Sequence, residues 1–145
     1  HTAYLCERIA SKLYMNAAAA KAGGYYHKIG VLQNDNSYEA VEGILAEYHM
    51  PGQALQILKE YLQPDIPIRS RETVVLLFAD TMISSISYLF KKNKEAVLDY
   101  DKLVEAVFQK KLSSGILNQS EISIGDLEQM KKILAGEQLY YDFLR

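Results

Sequence analysis

Three side chains in this sequence have the chemistry of metal ligands: His1, His27 and Asp80. Two imidazoles and one carboxylate can together bind a divalent cation. Their spacing does not by itself indicate a site, because a histidine on a helix more often makes a structural hydrogen bond. An aspartate in an apolar helix likewise often bonds a neighbouring backbone group or lysine. On residue type and spacing alone, the structural interpretation is favoured over a metal site.

Each of these residues lies on or beside a segment with the apolar periodicity of a helix. The first segment places Leu5, Ile9 and Leu13 on one face. The second contains four consecutive alanines before Gly30, which is suited to end that helix in a left-handed conformation. The predicted helices cover approximately 2–15, 17–26, 41–48, 51–62, 71–90, 101–112 and 126–134. The predicted caps of the later helices are Ser70, Asp99 or Asp101, and Ser123.

No alternating strand pattern of any length is present, so the sequence predicts an all-α fold of about six or seven helices. The segment from Arg71 to Phe90 is expected to be its most buried helix. The length and the even composition predict a single domain across residues 1–145. Because the first residue is a histidine rather than a methionine, we expect the domain to have been excised from a longer chain.

The composition narrows the classes of partner and compartment. The formal charge of −2 provides no positive field for a polyanion, so nucleic acid is not the expected partner. Cys6 is the only cysteine, which excludes an internal disulfide and fits a reducing cytoplasm. The longest strongly apolar run, from Val74 to Ala79, is far shorter than the roughly 20 residues that span a bilayer. A cytoplasmic domain is the prediction.

A pattern across nearly the whole chain resembles a known enzyme family. It consists of His1, the segments Gly24–Gly30, Ser70–Glu72 and Leu77–Asp80, and towards the C-terminus Lys111, Leu112, Gly115–Leu117, Ser120, Asp126 and Leu127. The pattern resembles the HD (HDIG) superfamily of metal-dependent phosphohydrolases. It is more closely similar to the cytoplasmic HD domain of the seven-transmembrane HD receptors. The resemblance implies an HD-domain fold and the hydrolysis of cyclic di-AMP.

Carried over residue by residue, the resemblance implies that His1 is the first metal histidine, His27 the histidine of the HD pair and Asp80 the final aspartate ligand. The aspartate of that pair, which in the family binds metal and helps to orient the attacking water, is Lys28 here. The family's remaining histidine ligands fall on residues without a ligand nitrogen: Ser37 or Tyr38, and about Tyr61 and Leu62. The resemblance therefore implies an incomplete two-metal site.

The orientation of the Lys28 side chain distinguishes two interpretations of these residues. Hydrolysis by two metals needs cations about 3.5–4 Å apart. Two unit charges of like sign about 4 Å apart repel by roughly 4 kcal/mol at an effective dielectric near 20, which is on the order of a thousandfold in metal affinity. Either Lys28 turns to solvent and leaves His1, His27 and Asp80 to hold one metal, or it pairs with Asp80 and replaces the metal. We favour the second interpretation.

The favoured hypothesis is a degenerate HD domain without a complete two-metal phosphodiesterase site, in a regulatory, nucleotide-binding or assembly role. Its candidate pocket residues are Lys28, Tyr38 and Tyr61. No residue is assigned a catalytic role and no cofactor is required. The expected partner is a nucleotide or cyclic dinucleotide, a protein, or an upstream membrane-attached module.

The alternative hypothesis is a metal-dependent phosphohydrolase that acts on a nucleotide or cyclic dinucleotide. It would use a reduced site with one divalent ion, Mn, Fe or Zn, on His1, His27 and Asp80. A helical spacer that keeps only the ancestral fold predicts neither metal nor ligand. The fold cannot choose among these hypotheses, because function belongs to the site rather than to the scaffold.

Overall fold

The computed structural model describes all residues from His1 to Arg145 and contains helices and no strand. In chain order the elements are α1 (Thr2–Lys12), α2 (Ala17–Tyr26), the 3₁₀ helix η1 (Ile29–Gln33), α3 (Tyr38–Leu45), α4 (Gly52–Leu62), α5 (Arg71–Lys92), α6 (Tyr100–Ser113), α7 (Ile124–Gly136) and α8 (Gln138–Asp142). The all-α prediction is confirmed. The eighth helix was not predicted, because five residues are too few to show an apolar period.

The central helix of the core is α5, as predicted. Every residue from Glu72 to Ala79 is buried, and Phe78 stacks on Phe108 of α6 with ring centroids 4.1 Å apart. By length and composition alone α5 could cross a membrane, but 56% of its most apolar 18-residue window is buried inside the fold. The buried run ends at Asp80, so the core holds this carboxylate at its edge.

Side-chain caps begin several of the helices. Four N-cap side chains accept a hydrogen bond from the backbone N–H three residues further on, at 2.9–3.2 Å: those of Asn16, Ser37, Asp99 and Ser123. Ser123 was predicted from its residue type, and Asp99 was one of two predicted alternatives with Asp101. Ser70 was also predicted as a cap, but its hydroxyl instead donates to Glu60 Oε2 at 2.8 Å. A long-range acceptor has therefore replaced the local one.

The predicted role of Gly30 is wrong. The helix α2 ends at Tyr26, Gly30 lies inside η1, and the left-handed residue in this region is Asn34, with φ 56°. Gly30 is required for space rather than for its φ angle, because a Cβ atom there would collide with the backbone of residues 35–36. The chain folds back on itself here, and local propensity does not reveal that contact.

The helix α1 ends in a Schellman motif that has an aromatic residue at its left-handed position. Tyr14 has φ 57°, the N–H of Met15 donates to Ala10 O at 2.9 Å, and that of Tyr14 donates to Ser11 O at 3.4 Å. This left-handed conformation is unfavourable by roughly 1–2 kcal/mol for a residue with a Cβ atom. The side chain of Tyr14 is 94% exposed, so packing does not offset that cost.

We expect Tyr14→Gly to raise the free energy of unfolding by about 1 kcal/mol. This value is the cost of the Cβ atom less the larger backbone entropy that glycine loses on folding. Chemical denaturation of the two proteins measures the difference. Tyr14→Ala is the control, because it removes the ring and keeps the Cβ atom, and an equal gain in that variant would contradict the backbone explanation.

Candidate functional site

His27 follows the last residue of α2 and is only 5% exposed. Its backbone N–H donates to Gly23 O at 3.0 Å and its ring Nδ1 to Gly24 O at 2.8 Å. Because a carbonyl oxygen can only accept, Nδ1 carries a hydrogen. The ring is thereby fixed on the last turn of the helix, and its other nitrogen, Nε2, lies 3.3 Å from Asp80 Oδ1.

Two glycines bring this end of α2 close to its neighbours. A Cβ atom on Gly24 would lie 2.6 Å from the Cα atom of Ala3 in α1. A Cβ atom on Gly23 would lie 3.0 Å from Cγ2 of Ile57 in α4. Since ordinary side chains would hold these helices apart, the glycine pair allows α2 to carry His27 to the edge of the core.

Asp80 of α5 is the centre of the site. Its Oδ2 accepts from the hydroxyl of Tyr61 in α4 at 2.6 Å. Its Oδ1 lies 3.3 Å from His27 Nε2, 3.5 Å from Lys28 Nζ and 3.4 Å from Ser84 Oγ. We call Asp80, His27, Lys28 and Tyr61 the Asp80 network. Both oxygens of the carboxylate are engaged within it.

The charge state of the network follows from these contacts. Burial alone would raise the pKa of Asp80, but the hydrogen bonds from His27 and Tyr61 and the charges of His27 and Lys28 outweigh it and hold that pKa far below its usual range. Burial, followed by the bond to the carboxylate, raises the pKa of Tyr61. At neutral pH Asp80 is therefore an ionised acceptor and Tyr61 a protonated donor.

Lys28 stands where the resemblance would place an aspartate, and it pairs with Asp80 as predicted. Its ammonium nitrogen lies 3.5 Å from Asp80 Oδ1. The Lys28 side chain is 61% exposed and that of Asp80 16% exposed, so solvent screens this ion pair and limits its contribution to stability. Lys28 consequently places a positive charge at the outer surface of the network.

His1 is not part of the network. Its Nδ1 lies 2.8 Å from the hydroxyl of Tyr140 in α8, and Tyr140 stacks on Tyr4 with ring centroids 4.2 Å apart. These contacts hold His1 on the face of α1 that carries Tyr4. The expected ligand set of His1, His27 and Asp80 is therefore not assembled. No group of three histidine, cysteine, aspartate or glutamate side chains is placed to hold a metal ion.

Cys6 is a neighbour of the network that the sequence analysis missed. The side chain is fully buried in α1, and its burial, followed by the charge of Asp80, raises the pKa of the thiol. A thiol that stays protonated is a poor metal ligand. Nothing in its local sequence distinguishes Cys6 from an ordinary core residue.

Of the two tyrosines predicted to line a pocket, Tyr61 joins the network and Tyr38 does not. The hydroxyl of Tyr38 donates to Glu42 Oε2 at 2.7 Å within α3. Burial, this hydrogen bond and the charge of Glu42 raise the pKa of Tyr38 to about 12. Tyr38 is thus engaged inside its own helix.

A groove of about 610 Å³ adjoins Tyr61. One wall is the connector between α4 and α5, at residues 63–68, and the other is formed within the loop that follows α6, at residues 115–119. Leu77 of α5 also lines it. We call it the α4–α5 groove. Of the residues that line this groove, only Tyr61 was predicted as a pocket residue.

Two side chains fix the walls of the groove. Glu60 is 3% exposed and accepts from the backbone N–H groups of Arg69 and Ser70, both at 2.9 Å. Burial would raise its pKa, but these hydrogen bonds outweigh burial and lower it. Arg69 joins the second wall, since its carbonyl accepts from the N–H of Glu121 at 2.8 Å and its Nη2 donates to Gln119 Oε1 at 3.2 Å.

Comparison with known proteins identifies the fold. No family model matches the sequence, and no curated protein matches it. Two solved structures of the HD domain of the phosphodiesterase PgpH from L. monocytogenes are similar. The one in complex with cyclic-di-AMP has a TM-score of 0.73 at 14% sequence identity, and the other has a TM-score of 0.71 at 16% identity. Each comparison covers 96% of this chain and 88% of the PgpH chain. The chain therefore has an HD-domain fold, related to that of PgpH.

Proposed function

We propose that this domain binds the phosphate group of a nucleotide or cyclic dinucleotide at the Asp80 network, does not hydrolyse it, and acts in regulation. The observation that carries the proposal is the position of Lys28, whose ammonium nitrogen lies 3.5 Å from Asp80 Oδ1. The HD-domain fold and the cyclic-di-AMP complex of the PgpH domain support a cyclic dinucleotide as the ligand. A cytoplasmic location is part of this proposal.

The residues present do not fit the metal pair that the fold family implies. Such a pair needs bridging oxygen ligands between cations about 3.5–4 Å apart. The Asp80 network supplies one imidazole nitrogen and one carboxylate, and both carboxylate oxygens already have partners. Lys28 adds a positive charge where a cation would need a negative one. Hydrolysis by two metals is therefore not part of the proposed function.

Lys28 supplies the positive charge that phosphate binding requires. A lysine ammonium is a point charge that suits phosphate oxygens, and the 61% exposed side chain can be reached from solvent. His27 and Tyr61 contact Asp80 from the buried side. Because His27 and Tyr61 stabilise the Asp80 carboxylate, Lys28 can bind a second anion without leaving that carboxylate unpaired.

A one-metal phosphohydrolase is the second candidate. The observation in its favour is that His27 Nε2 and Asp80 Oδ1 converge at 3.3 Å, while the exposed Lys28 can turn away from them. This candidate requires activity that depends on added metal and disappears in His27→Ala. An assembly role, in which the domain docks on a protein partner or a membrane-attached module, requires neither metal nor nucleotide.

We expect the wild-type protein to retain no stoichiometric metal after exposure to manganese, iron or zinc, and Lys28→Asp to gain metal affinity. The substitution removes the repulsion and adds a carboxylate beside His27 and Asp80. Because the Lys28 side chain is 61% exposed, solvent screens these charges and the expected gain is about tenfold. Elemental analysis and metal titration measure it. Lys21→Asp is the matched control, because Lys21 lies in α2 and pairs with Glu7 instead. A stoichiometric metal in wild type that is lost in His27→Ala would favour the one-metal enzyme.

The proposed nucleotide binding is tested in metal-free buffer by calorimetric titration with cyclic di-AMP and AMP. We expect wild-type protein to bind at least one of them, and Lys28→Met to bind it about tenfold more weakly, the loss of one charge-assisted contact. Lys21→Met should bind like wild type. If neither nucleotide binds, the nucleotide-binding function is wrong and the assembly role is left.

A further inference from the structure

We infer that this domain self-associates, and that the outer face of α3 in one copy docks in the groove between α1 and α2 of a second copy. We call this the α1–α2 groove. The inference goes beyond the proposed function, because the contact needs neither nucleotide nor metal. Three features carry it: a cationic groove, a helix face whose carboxylates have no cationic partner, and exposed apolar side chains on both surfaces.

The α1–α2 groove has a volume of about 570 Å³ and is lined only by His1 and by residues of α1 and α2. The two helices run antiparallel, because Lys21 pairs with Glu7 at 2.7 Å while Gly24 lies against Ala3. The groove follows α1 as far as residue 12, a length of roughly 16 Å. The helix α3 has eight residues and a length of about 12 Å, so it fits within the groove.

Cations outnumber carboxylates in the α1–α2 groove. Its charged side chains are Glu7, Arg8, Lys12 and Lys21. Lys12 is exposed and belongs to no ion pair. Lys21 and Glu7 are 44% and 45% exposed, so solvent weakens their pairing. Arg8 pairs with Glu137 but keeps 42% of its side chain exposed. The groove therefore presents a net positive charge to an approaching surface.

The segment that contains α3 has the opposite charge. No lysine or arginine occurs from Ile29 to Leu58, whereas this segment has four carboxylates, those of Asp35, Glu39, Glu42 and Glu47. All four residues are exposed, and none of them belongs to an ion pair. Glu39 and Glu42 accept hydrogen bonds only from the neutral side chains of Gln63 and Tyr38. A cationic partner for these carboxylates must therefore come from outside the fold.

The two surfaces match in spacing as well as in sign. Glu39 and Glu42 are three residues apart on α3, and Arg8 and Lys12 are four residues apart on α1. Each pair is thus separated by about one helical turn, or roughly 5–6 Å. Gly43 lies on the same exposed side of α3, and a Cβ atom there would meet nothing within 4 Å. The small residue allows the backbone of α3 to approach the groove closely.

Both surfaces also expose apolar side chains. Tyr4 and Tyr25 line the groove and are 43% and 64% exposed. Val31 and Leu32 of η1, which packs beside α3, are 60% and 84% exposed, and Tyr48 after α3 is 64% exposed. Removing this apolar area from water favours association, and the opposite charges select which surfaces meet. The contact joins two different surfaces, so it is reciprocated in a two-fold dimer or continues into larger assemblies.

Sedimentation velocity of the nucleotide-free protein, over a range of concentrations in low salt, measures this association. We expect the average mass of wild type to rise above the 16.4 kDa of one chain as the concentration increases. Salt at about 0.5 M should weaken the association at least tenfold, because it screens the charges on the two surfaces.

Charge reversal on either surface should also weaken the association at least tenfold. The groove variant is Lys12→Glu/Lys21→Glu, and the α3 variant is Glu39→Lys/Glu42→Lys. In each variant α3 and the groove carry charges of the same sign, whereas a one-to-one mixture of the two again pairs opposite charges and should regain the wild-type average mass. The matched control, Lys102→Glu/Lys110→Glu, alters exposed lysines of α6 that form no ion pair and should associate like wild type.

The inference is overturned if wild type stays monomeric up to about 1 mM, or if both charge variants associate like wild type. A mixture that does not regain the mass would also show that α3 does not meet the α1–α2 groove. Thermal denaturation establishes that each variant is folded, and the wild-type concentration series is decisive without any variant. Because no nucleotide is present, a negative result here leaves the proposed function intact.

Discussion

Replacing Asp80 by asparagine is expected to lower the free energy of unfolding by about 3 kcal/mol. The carboxylate is 16% exposed and is the shared partner of His27, Lys28 and Tyr61. An amide keeps the shape, but it removes the charge and turns an N–H group towards groups that donate. Breaking a largely buried network of charged hydrogen bonds costs roughly 3–5 kcal/mol, and the exposure of Lys28 places this case at the lower end.

Chemical denaturation at pH 7 measures this effect, and Asp126→Asn is the matched control. Asp126 is 21% exposed, but its side chain has one charged partner, Arg71, at 3.4 Å, and that partner is 37% exposed. The control is expected to cost less than about 1 kcal/mol. Equal losses in the two variants would mean that the Asp80 network contributes no more than an ordinary surface pair.

The same pair of proteins gives an expected pH dependence. The pKa of Asp80 is lower in the folded protein than in the unfolded chain, so ionised Asp80 stabilises the fold fully above the unfolded pKa of about 3.9. This contribution is lost as the pH falls below that value. The stability difference between wild type and Asp80→Asn should thus shrink as the pH falls below about 4. A difference that grows as the pH falls below about 4 would show that the sign of the pKa shift is wrong.

Gly24→Ala is expected to destabilise the protein by about 3 kcal/mol, although alanine is the better helix former. The added Cβ atom would lie 2.6 Å from the Cα atom and 2.8 Å from the backbone nitrogen of Ala3 in α1. Backbone atoms inside a helix cannot rotate away, so α1 and α2 must separate, as in other overpacked cores. The shift also displaces the Gly24 carbonyl that holds His27 Nδ1 at 2.8 Å.

Gly43→Ala provides the control for this prediction. Gly43 lies in α3, and a Cβ atom there would meet no atom within 4 Å. The same substitution should therefore raise the free energy of unfolding by up to about 1 kcal/mol through helix propensity alone. Opposite signs in the two variants, measured by thermal or chemical denaturation, are the expected result. A neutral Gly24→Ala would mean that α1 and α2 do not approach as closely as the structure has them.

Most of the helices could be predicted from the sequence because their signals are local. Apolar residues three and four positions apart predicted several helices, and the segment from Arg71 to Phe90 was predicted as the most buried one. The short polar side chains of Ser123 and of Asp99, with Asp101 as its alternative, predicted two helix starts. The replacement of an aspartate by Lys28 likewise predicted its pairing with Asp80. In that case the positive charge of Lys28 indicated that its partner would be a carboxylate, and the resemblance indicated that this carboxylate is Asp80.

Only the tertiary structure decided the remaining contacts, because they join residues far apart in the chain. His1 contacts Tyr140 of α8 rather than the network, and neither residue has a local feature that predicts this contact. Similarly, Glu60 binds the Ser70 hydroxyl that local propensity assigned to a helix cap. Propensity and periodicity report on neighbours within a few positions, whereas the site depends on which helix faces meet when the core packs. The sequence by itself therefore determined most of the helices and the ion pair, and the packing determined which side chains surround that pair.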